Sequence, residues 1–144
     1  MEKIEFYDTL HKDCIAIRTK VFIEEQGFKG EFDNIDERAV HVVIYSDGVP
    51  CAVGRLFRSE QQKGVYKIGR VAVLKPYRGK KLGEKVISSI EEKCREIGGK
   101  EIVLSAQCRV KGFYEKLGYV QFGEEFLDEH CPHINMKKYI NDKK

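Results

Sequence analysis

Residues 67–83, Lys-Ile-Gly-Arg-Val-Ala-Val-Leu-Lys-Pro-Tyr-Arg-Gly-Lys-Lys-Leu-Gly, decide the fold of this chain. The first eight of these residues are mostly apolar, which predicts a buried strand. The remainder is basic and contains two glycines, which indicates a turn. From about Lys81 to Ile97 apolar residues recur at helical spacing. A strand that ends in a turn and opens a helix brings free backbone N–H groups and the positive end of the helix dipole together, so the sequence predicts an anion site here.

The rest of the chain supplies further strands and helices around this unit. The pair Asp47-Gly48 predicts a hairpin, because both central positions tolerate positive φ. Residues 65–107 form a strand–helix–strand unit that should be parallel and right-handed. We therefore expect an α/β (α+β) fold, with a mixed central sheet of about six to seven strands flanked by helices. The other expected strands are 3–7, 40–45, 51–57, 101–106, 119–126 and 133–139, and the other expected helices are 10–27 and 110–117.

Composition narrows the class of protein. A length of 144 residues predicts one domain, 1–144. The net charge of +3 is small and spread along the chain, which gives no sign of a nucleic-acid binder. Five cysteines without a C-x-x-C pair, no signal peptide and no long apolar run together predict a cytoplasmic protein without membrane contact. We expect no metal, because the three potential ligands in residues 130–133 surround a proline, and such a set rarely reaches one ion.

The absence of two common phosphate-binding motifs limits the kinds of ligand that the anion site is expected to bind. The sequence contains neither G-x-x-x-x-G-K-[ST] nor G-x-G-x-x-G, so it lacks the two familiar loops for nucleoside triphosphates and dinucleotides. A different ligand that carries a pyrophosphate is then favoured. A second stretch, Gly-Phe-Tyr-Glu-Lys-Leu-Gly-Tyr at residues 112–119, predicts a short helix closed by a glycine near the end of the next strand.

These stretches together carry a resemblance. V-A-V-L-K-P-Y-R-G-K-K-L-G at 71–83, I-V-L-S-A-Q at 102–107 and G-F-Y-E-K-L-G-Y at 112–119 resemble the acetyl-CoA-binding half of the GNAT N-acetyltransferase superfamily. V-F-I-E-E-Q-G at 21–27 and P-H-I-N-M at 132–136 resemble its ElaA-like branch. The resemblance implies that acetyl-CoA is the co-substrate and that the sheet splays to admit it.

The resemblance also implies the cofactor residues. The CoA pyrophosphate would bind the backbone of residues 78–83. Gln107, at the end of a strand, either hydrogen-bonds the pantetheine or the acceptor or only caps the following helix. Lys81 stands where the family has its first glycine, so the backbone there is either strained or in ordinary helical geometry. The implied cofactor-binding set is Val71, Ala72 and Val73 for the pantetheine arm, with Arg78, Gly79, Lys80, Lys81, Leu82, Gly83, Gln107 and Tyr114.

The resemblance implies direct attack of an amine on the thioester, with Tyr114 protonating the departing thiolate. The amine must lose protons, so a base or a water chain is needed. We assign Glu25 and His41 as base candidates, while Glu24, Asp33 and Asp36 remain alternatives. Arg55 and Arg70 interrupt apolar strands, so each either binds an anionic group of the acceptor or pairs with an acid such as Asp33 or Asp36. His133 is assigned to the acceptor with them. Cys108 is conceivable as an acylated nucleophile but is better explained as a small buried residue.

The expected function is acetyl transfer from acetyl-CoA to the amine of a small molecule. Alternatives are acetylation of a protein lysine or N-terminus, and an acyl-CoA sensor without turnover. A sensor would need no acid at position 114, whereas a protein substrate would need an open groove. Residues 28–36 and 127–132 look able to close one. The family analogy also suggests a homodimer through the last strands.

Overall fold

The computed structural model describes residues 1–140, which form one seven-stranded mixed sheet and three α-helices. The strands are β1 (Glu2–Tyr7), β2 (Val40–Ser46), β3 (Val49–Arg58), β4 (Val65–Val73), β5 (Glu101–Gln107), β6 (Val120–Asp128) and β7 (Cys131–Tyr139). The helices are α1 (Lys12–Arg18), α2 (Leu82–Glu96) and α3 (Lys111–Lys116). The strand order is β1-β2-β3-β4-β5-β7-β6, and within residues 1–140 only the β4–β5 pair is parallel. The expected α/β fold is confirmed.

The first helix differs from the expected one. Its α-helical part ends at Arg18, and residues Thr19–Glu25 continue as a π-helix. The amide of Gln26 accordingly bonds to the carbonyl of Val21, five residues earlier, at 3.1 Å. Apolar spacing cannot reveal this change, because a widened turn shifts the buried face by only one residue. Wide turns of this kind are frequent at functional sites.

The sheet splays between β4 and β5, as expected for this fold. The two strands pair only from Val65–Glu101 to Ile68–Leu104. Beyond Ile68, β4 contains a bulge against β3, and Arg70 adopts a left-handed φ of 54°. A bulge adds an unpaired residue and bends its strand. The C-terminal halves of β4 and β5 therefore diverge and leave a gap.

Helices cover both faces of the sheet. α2 packs closely on β3, because a Cβ at Gly54 would lie 2.7 Å from Val86 and 2.9 Å from Ile90. Most of the predicted apolar stripe of α2 is buried, although Ile97 at its end is exposed. On the opposite face, α1 and the π-helix cover β2, β3 and β4. Within residues 1–140, no helix is long and apolar enough to cross a membrane.

Candidate active site

A cavity of about 640 Å³ opens where β4 and β5 separate. Side chains of β4, β5 and β7 that face away from α2 form its floor, among them Val103 and Asn135, while Phe22 and Phe28 form a wall. Six residues predicted for the site line this cavity, namely Arg55, Arg70, Val71, Gln107, Tyr114 and His133. The other predicted residues lie outside its lining, namely Glu25, His41, Ala72, Val73 and residues 78–83.

Tyr114 reaches the cavity from α3. Its side chain is buried, and its ring lies edge-on to the rings of Phe113 and Tyr119, with centroids 5.0 Å and 6.0 Å away. Its hydroxyl makes no hydrogen bond to another residue in the part of the chain that the structure describes. Burial raises the pKa of Tyr114 to about 12, so the phenol keeps its proton at neutral pH. The site therefore contains a protonated donor that is free to serve a developing anion.

The basic turn, residues 75–83, lies at the start of α2. The first helical N–H with a partner inside the helix region is that of Lys85, which bonds to the Lys81 carbonyl at 3.2 Å. Earlier amides of the helix lack such partners, as at any helix start. Lys81 adopts a left-handed φ of 65°, so the departure from glycine places a lysine in a strained conformation. A Cβ at Gly83 would meet the Phe113 ring at 3.2 Å, so this glycine lets α3 approach α2.

Glu25 and Arg78 form an ion pair beside this turn. Two guanidinium nitrogens of Arg78 donate to the Glu25 carboxylate at 2.7 Å and 2.8 Å, and its Nε donates to the Val73 carbonyl at 2.9 Å. The hydrogen bonds from Arg78 lower the pKa of Glu25. Glu25 is thus held as a carboxylate, and the pair covers a backbone carbonyl expected to face the pantetheine arm.

A buried network of arginines and carboxylates borders the cavity, and Glu31, Arg55 and Arg70 are the members that line it. It consists of three arginines and three acids, Arg18, Arg55, Arg70, Glu31, Asp33 and Asp36. The charges balance within this set, so Arg55 and Arg70 pair with internal acids, which is the second of the two readings left open by the sequence. Only Nε of Arg55 is a buried side-chain nitrogen without a hydrogen-bond partner among the described residues.

The centre of this network was missed by sequence reasoning. Arg18 is 1% exposed and donates to Glu31 at 2.9 Å and to Asp36 at 2.8 Å, whereas a charged residue of an amphipathic helix is ordinarily expected on its solvent face. A signal was present, because Arg18 lies four residues after Cys14 and three before Val21, on the apolar stripe. Burial alone would raise the pKa of Asp36, but hydrogen bonds and charge from Arg18 and Arg55 lower it to about 2.

His41 lies next to the cavity without reaching it. It is the cross-strand partner of Arg55, so the two side chains lie on the same face of the sheet. However, the short helix Asn34–Glu37 lies over it, and its Nε2 is 3.0 Å from the Asp36 carbonyl. Burial lowers the pKa of His41. Its geometry suits a structural histidine that anchors the loop.

Two contacts close the cavity mouth. The carboxylate of Glu129, in the β6–β7 turn, accepts hydrogen bonds from the amides of Lys29 and Gly30, both at 2.9 Å. Nε2 of Gln107 donates to Oε1 of Gln26 at 2.8 Å and joins the end of β5 to the end of the π-helix. The segments 28–36 and 127–132 thus meet over the site, as their sequences suggested.

The described residues contain neither a metal-binding cluster nor a disulfide bond. Among residues 1–140, no group of three histidine, cysteine or acidic side chains is arranged to hold a metal ion. All five cysteines have free thiols, and Cys14, Cys51 and Cys94 are buried. Cys108 is half-buried at the end of β5.

The fold and the site together define the class of protein. Residues 9–140 match the family of acetyltransferase (GNAT) domains, so this chain belongs to the GNAT acyl-CoA N-acyltransferases. The ElaA resemblance is also confirmed. The crystal structure of Escherichia coli ElaA has a TM-score of 0.85 and 25% identity to this chain, and the match covers 96% of this chain and 99% of that one.

Two further relatives are similar over most of their length. YjcF of Bacillus subtilis, described as an uncharacterized N-acetyltransferase, is 32% identical, and the match covers 88% of this chain and 91% of YjcF. An acyl-CoA N-acyltransferase from Pseudomonas aeruginosa has a TM-score of 0.82 at 25% identity, and the match covers 96% of this chain and 98% of that one.

Proposed function

We propose that this protein, as one domain, transfers the acetyl group of acetyl-CoA directly to the amine of a small molecule. The observation that carries the proposal is the unpaired, protonated phenol of Tyr114 in a cavity formed by the splay of β4 and β5. A phenol in that place can hydrogen-bond to a thiolate and give it a proton as the carbon–sulfur bond breaks. An acyl-CoA sensor without turnover would have no use for it.

The donor would bind across the splay. The phosphates would contact the amides at the start of α2, and the pantetheine arm would pair with Val71, Ala72 and Val73. The gap beyond Ile68 and Leu104 supports this placement, because the β4 edge there lacks a β5 partner. The positive cluster of the basic turn supports it as well, since anions are stabilised at helix N-termini. An oxygen of the thioester could be polarised by a strand amide near Val73.

The closed mouth favours a small acceptor over a protein. The bonds from Lys29 and Gly30 to Glu129 join two surface segments that a polypeptide substrate would have to separate. The wall contains the aromatic residues Phe22 and Phe28, which suits the apolar part of a small molecule. Arg55, Arg70 and His133 would contact the acceptor. The two arginines act as rigid walls in this proposal, because internal acids already compensate their charges.

In this proposal, the base is neither of the two residues that the sequence suggested. Glu25 lies outside the cavity lining and is held ionised by Arg78. His41 is covered by the Asn34–Glu37 turn. The group that accepts the acceptor proton therefore belongs to the residues that line the cavity.

Substitution of the acid tests the proposal. A screen of small amines with acetyl-CoA, followed by release of free thiol, should identify an acceptor. With that acceptor, Tyr114→Phe should lower kcat roughly 100-fold, the lower end of general acid catalysis, and leave acetyl-CoA affinity unchanged. The exposed Tyr139, changed to phenylalanine, serves as the control. An unchanged kcat in Tyr114→Phe would exclude the acid assignment, and acetyl-CoA binding without thiol release across the panel would favour the sensor.

A further inference from the structure

The cavity contains one histidine. Of the four histidines in the chain, all within the described residues, only His133 lines the cavity. His11 stacks on Tyr7, and His130 lies in the β6–β7 turn. His133 is 6% exposed and stands opposite Gln107 in the pairing of β7 with β5. It therefore lies at the end of β5, beside the gap that would admit the thioester.

The hydrogen bond of His133 determines which ring nitrogen carries the proton. Nδ1 lies 2.9 Å from the carbonyl oxygen of Cys131. A carbonyl oxygen can only accept, so Nδ1 must be the protonated nitrogen. In the neutral ring Nε2 then has a free lone pair. Among the described residues, no carboxylate lies within 4 Å of either ring nitrogen, and no other residue bonds to Nε2.

Aromatic rings fix the orientation of this imidazole. The ring of Phe126 stacks on it with centroids 5.9 Å apart and planes at 30°. The ring of Phe28 meets it edge-on at 6.4 Å. A histidine anchored through Nδ1 and held by two rings has little freedom, which is what a proton acceptor in a reaction needs.

The carboxylates of the cavity are less suited to this task. Glu31 is bound by Arg18 and Arg70, and Glu129 is bound by two backbone amides that lower its pKa. Asp128, the last residue of β6, is exposed and is the remaining rival. The other charged or titratable groups around the cavity are Arg55, Lys67, Arg70, Arg109 and Tyr114.

From this geometry we infer that Nε2 of His133 is the general base of the transfer. The inference rests on the proposed function. As the amine nitrogen forms its bond to the thioester carbon, it gives one proton to Nε2. The carbon–sulfur bond then breaks, and the sulfur receives the proton of Tyr114. His133 then loses its proton to solvent and Tyr114 regains one from solvent, so a neutral amine and the thioester give the amide and the free CoA thiol with no net release of protons.

The pH profile of a conservative variant tests the inference. In His133→Asn the amide nitrogen can still donate to the Cys131 carbonyl, but no base remains. We expect kcat/KM for the acceptor to fall roughly 100-fold, with acetyl-CoA affinity unchanged. The wild type should lose activity as pH falls, because a protonated imidazole has no lone pair left to accept the proton of the amine, and the variant should lack this limb. The limb should stay in place with acceptors of different basicity, because it belongs to the enzyme.

Two further variants make the result decisive. His133→Ala should regain part of its activity with added imidazole, whereas the control His11→Asn, at the start of α1 and outside the cavity lining, should behave as wild type. A limb that persists in His133→Asn, or that disappears in Asp128→Asn instead, would overturn the inference while leaving acetyl transfer intact. Absence of transfer by the wild type would instead contradict the proposed function, so the two failures are distinguishable.

Discussion

The arginine–carboxylate network and the basic turn lie at opposite ends of the site and handle charge in opposite ways. In the network, three arginines meet three acids, and Arg18, Arg55 and Asp36 are at most 3% exposed. In the basic turn, Arg78 pairs with Glu25, but among the described residues Lys75, Lys80 and Lys81 have no carboxylate within 4 Å. A balanced buried set fixes a shape, whereas exposed cations at a helix start remain available for a ligand.

The two regions should therefore respond differently to substitution. Buried charges are costly unless they are fully paired, so the network can keep its geometry only while all six members are present. Exposed pairs such as Glu25–Arg78 are worth little and exchange partners readily. We therefore expect substitutions in the network to change stability, and substitutions in the basic turn to change ligand affinity.

The largest effect is expected for Arg18→Met. This change removes one of the two arginines that each of the Glu31 and Asp36 carboxylates contacts, so the free energy of unfolding should fall by about 3–5 kcal/mol. Lys20→Met removes an exposed positive charge two residues later and is the matched control. Unfolding in urea, followed by circular dichroism, measures both. Equal stabilities of the two variants would show that the network does not stabilise the fold.

The basic turn and the elements beside it could be predicted from the sequence, because the signals that mark them are local. The strand, the basic turn and the helix start are contiguous, so residue types and apolar periodicity predict them together. The hairpin at Asp47-Gly48 was equally local, and both residues have positive φ. The splay followed from the resemblance and is confirmed by the pairing that ends at Ile68 and Leu104.

The network could not be read in the same way, because its members are distant in sequence. Asp33 pairs with both Arg55 and Arg70, 22 and 37 residues away, and no local pattern chooses between these partners and a ligand. His41 shows a related limit. It is the cross-strand partner of Arg55, but only the path of the 34–37 turn decides that it is covered.

A second, smaller effect concerns the pH dependence of stability. The pKa of Asp36 is about 2 in the folded protein, against an ordinary value of about 3.9 for aspartate. A lowered pKa stabilises the fold above the unfolded value and loses that contribution as pH falls through the folded value. Asp36→Asn should thus be about 2 kcal/mol less stable than wild type at pH 5, and the difference should shrink between about pH 4 and pH 2.

The difference between the two proteins removes the titration of carboxyl groups that they share. Urea unfolding at several pH values measures it. Asp8→Asn, at an exposed position, should show no such pH-dependent difference from wild type. A difference that is constant from pH 5 to about pH 2 would mean that Asp36 loses its negative charge without weakening the network.

The smallest effect is expected at the basic turn, and its sign is informative. Glu25 occupies two donors of Arg78, so in the proposed complex it would compete with the phosphates of CoA for the same guanidinium. Glu25→Gln should tighten CoA binding by up to about fivefold, equivalent to the 1 kcal/mol upper end for an exposed pair. Arg78→Met should weaken binding, and Glu24→Gln, an exposed neighbour, is the control.

Titration calorimetry at two salt concentrations measures these affinities. The gain in Glu25→Gln should shrink at high salt, because screening weakens both the ion pair and the phosphate contact. Neither variant should change the unfolding free energy as Arg18→Met does, since both side chains of the pair are more than one-third exposed. Weaker CoA binding in Glu25→Gln would reverse the assignment. Glu25 would then orient Arg78 towards the phosphates, and the two ends of the site would both depend on fixed pairs.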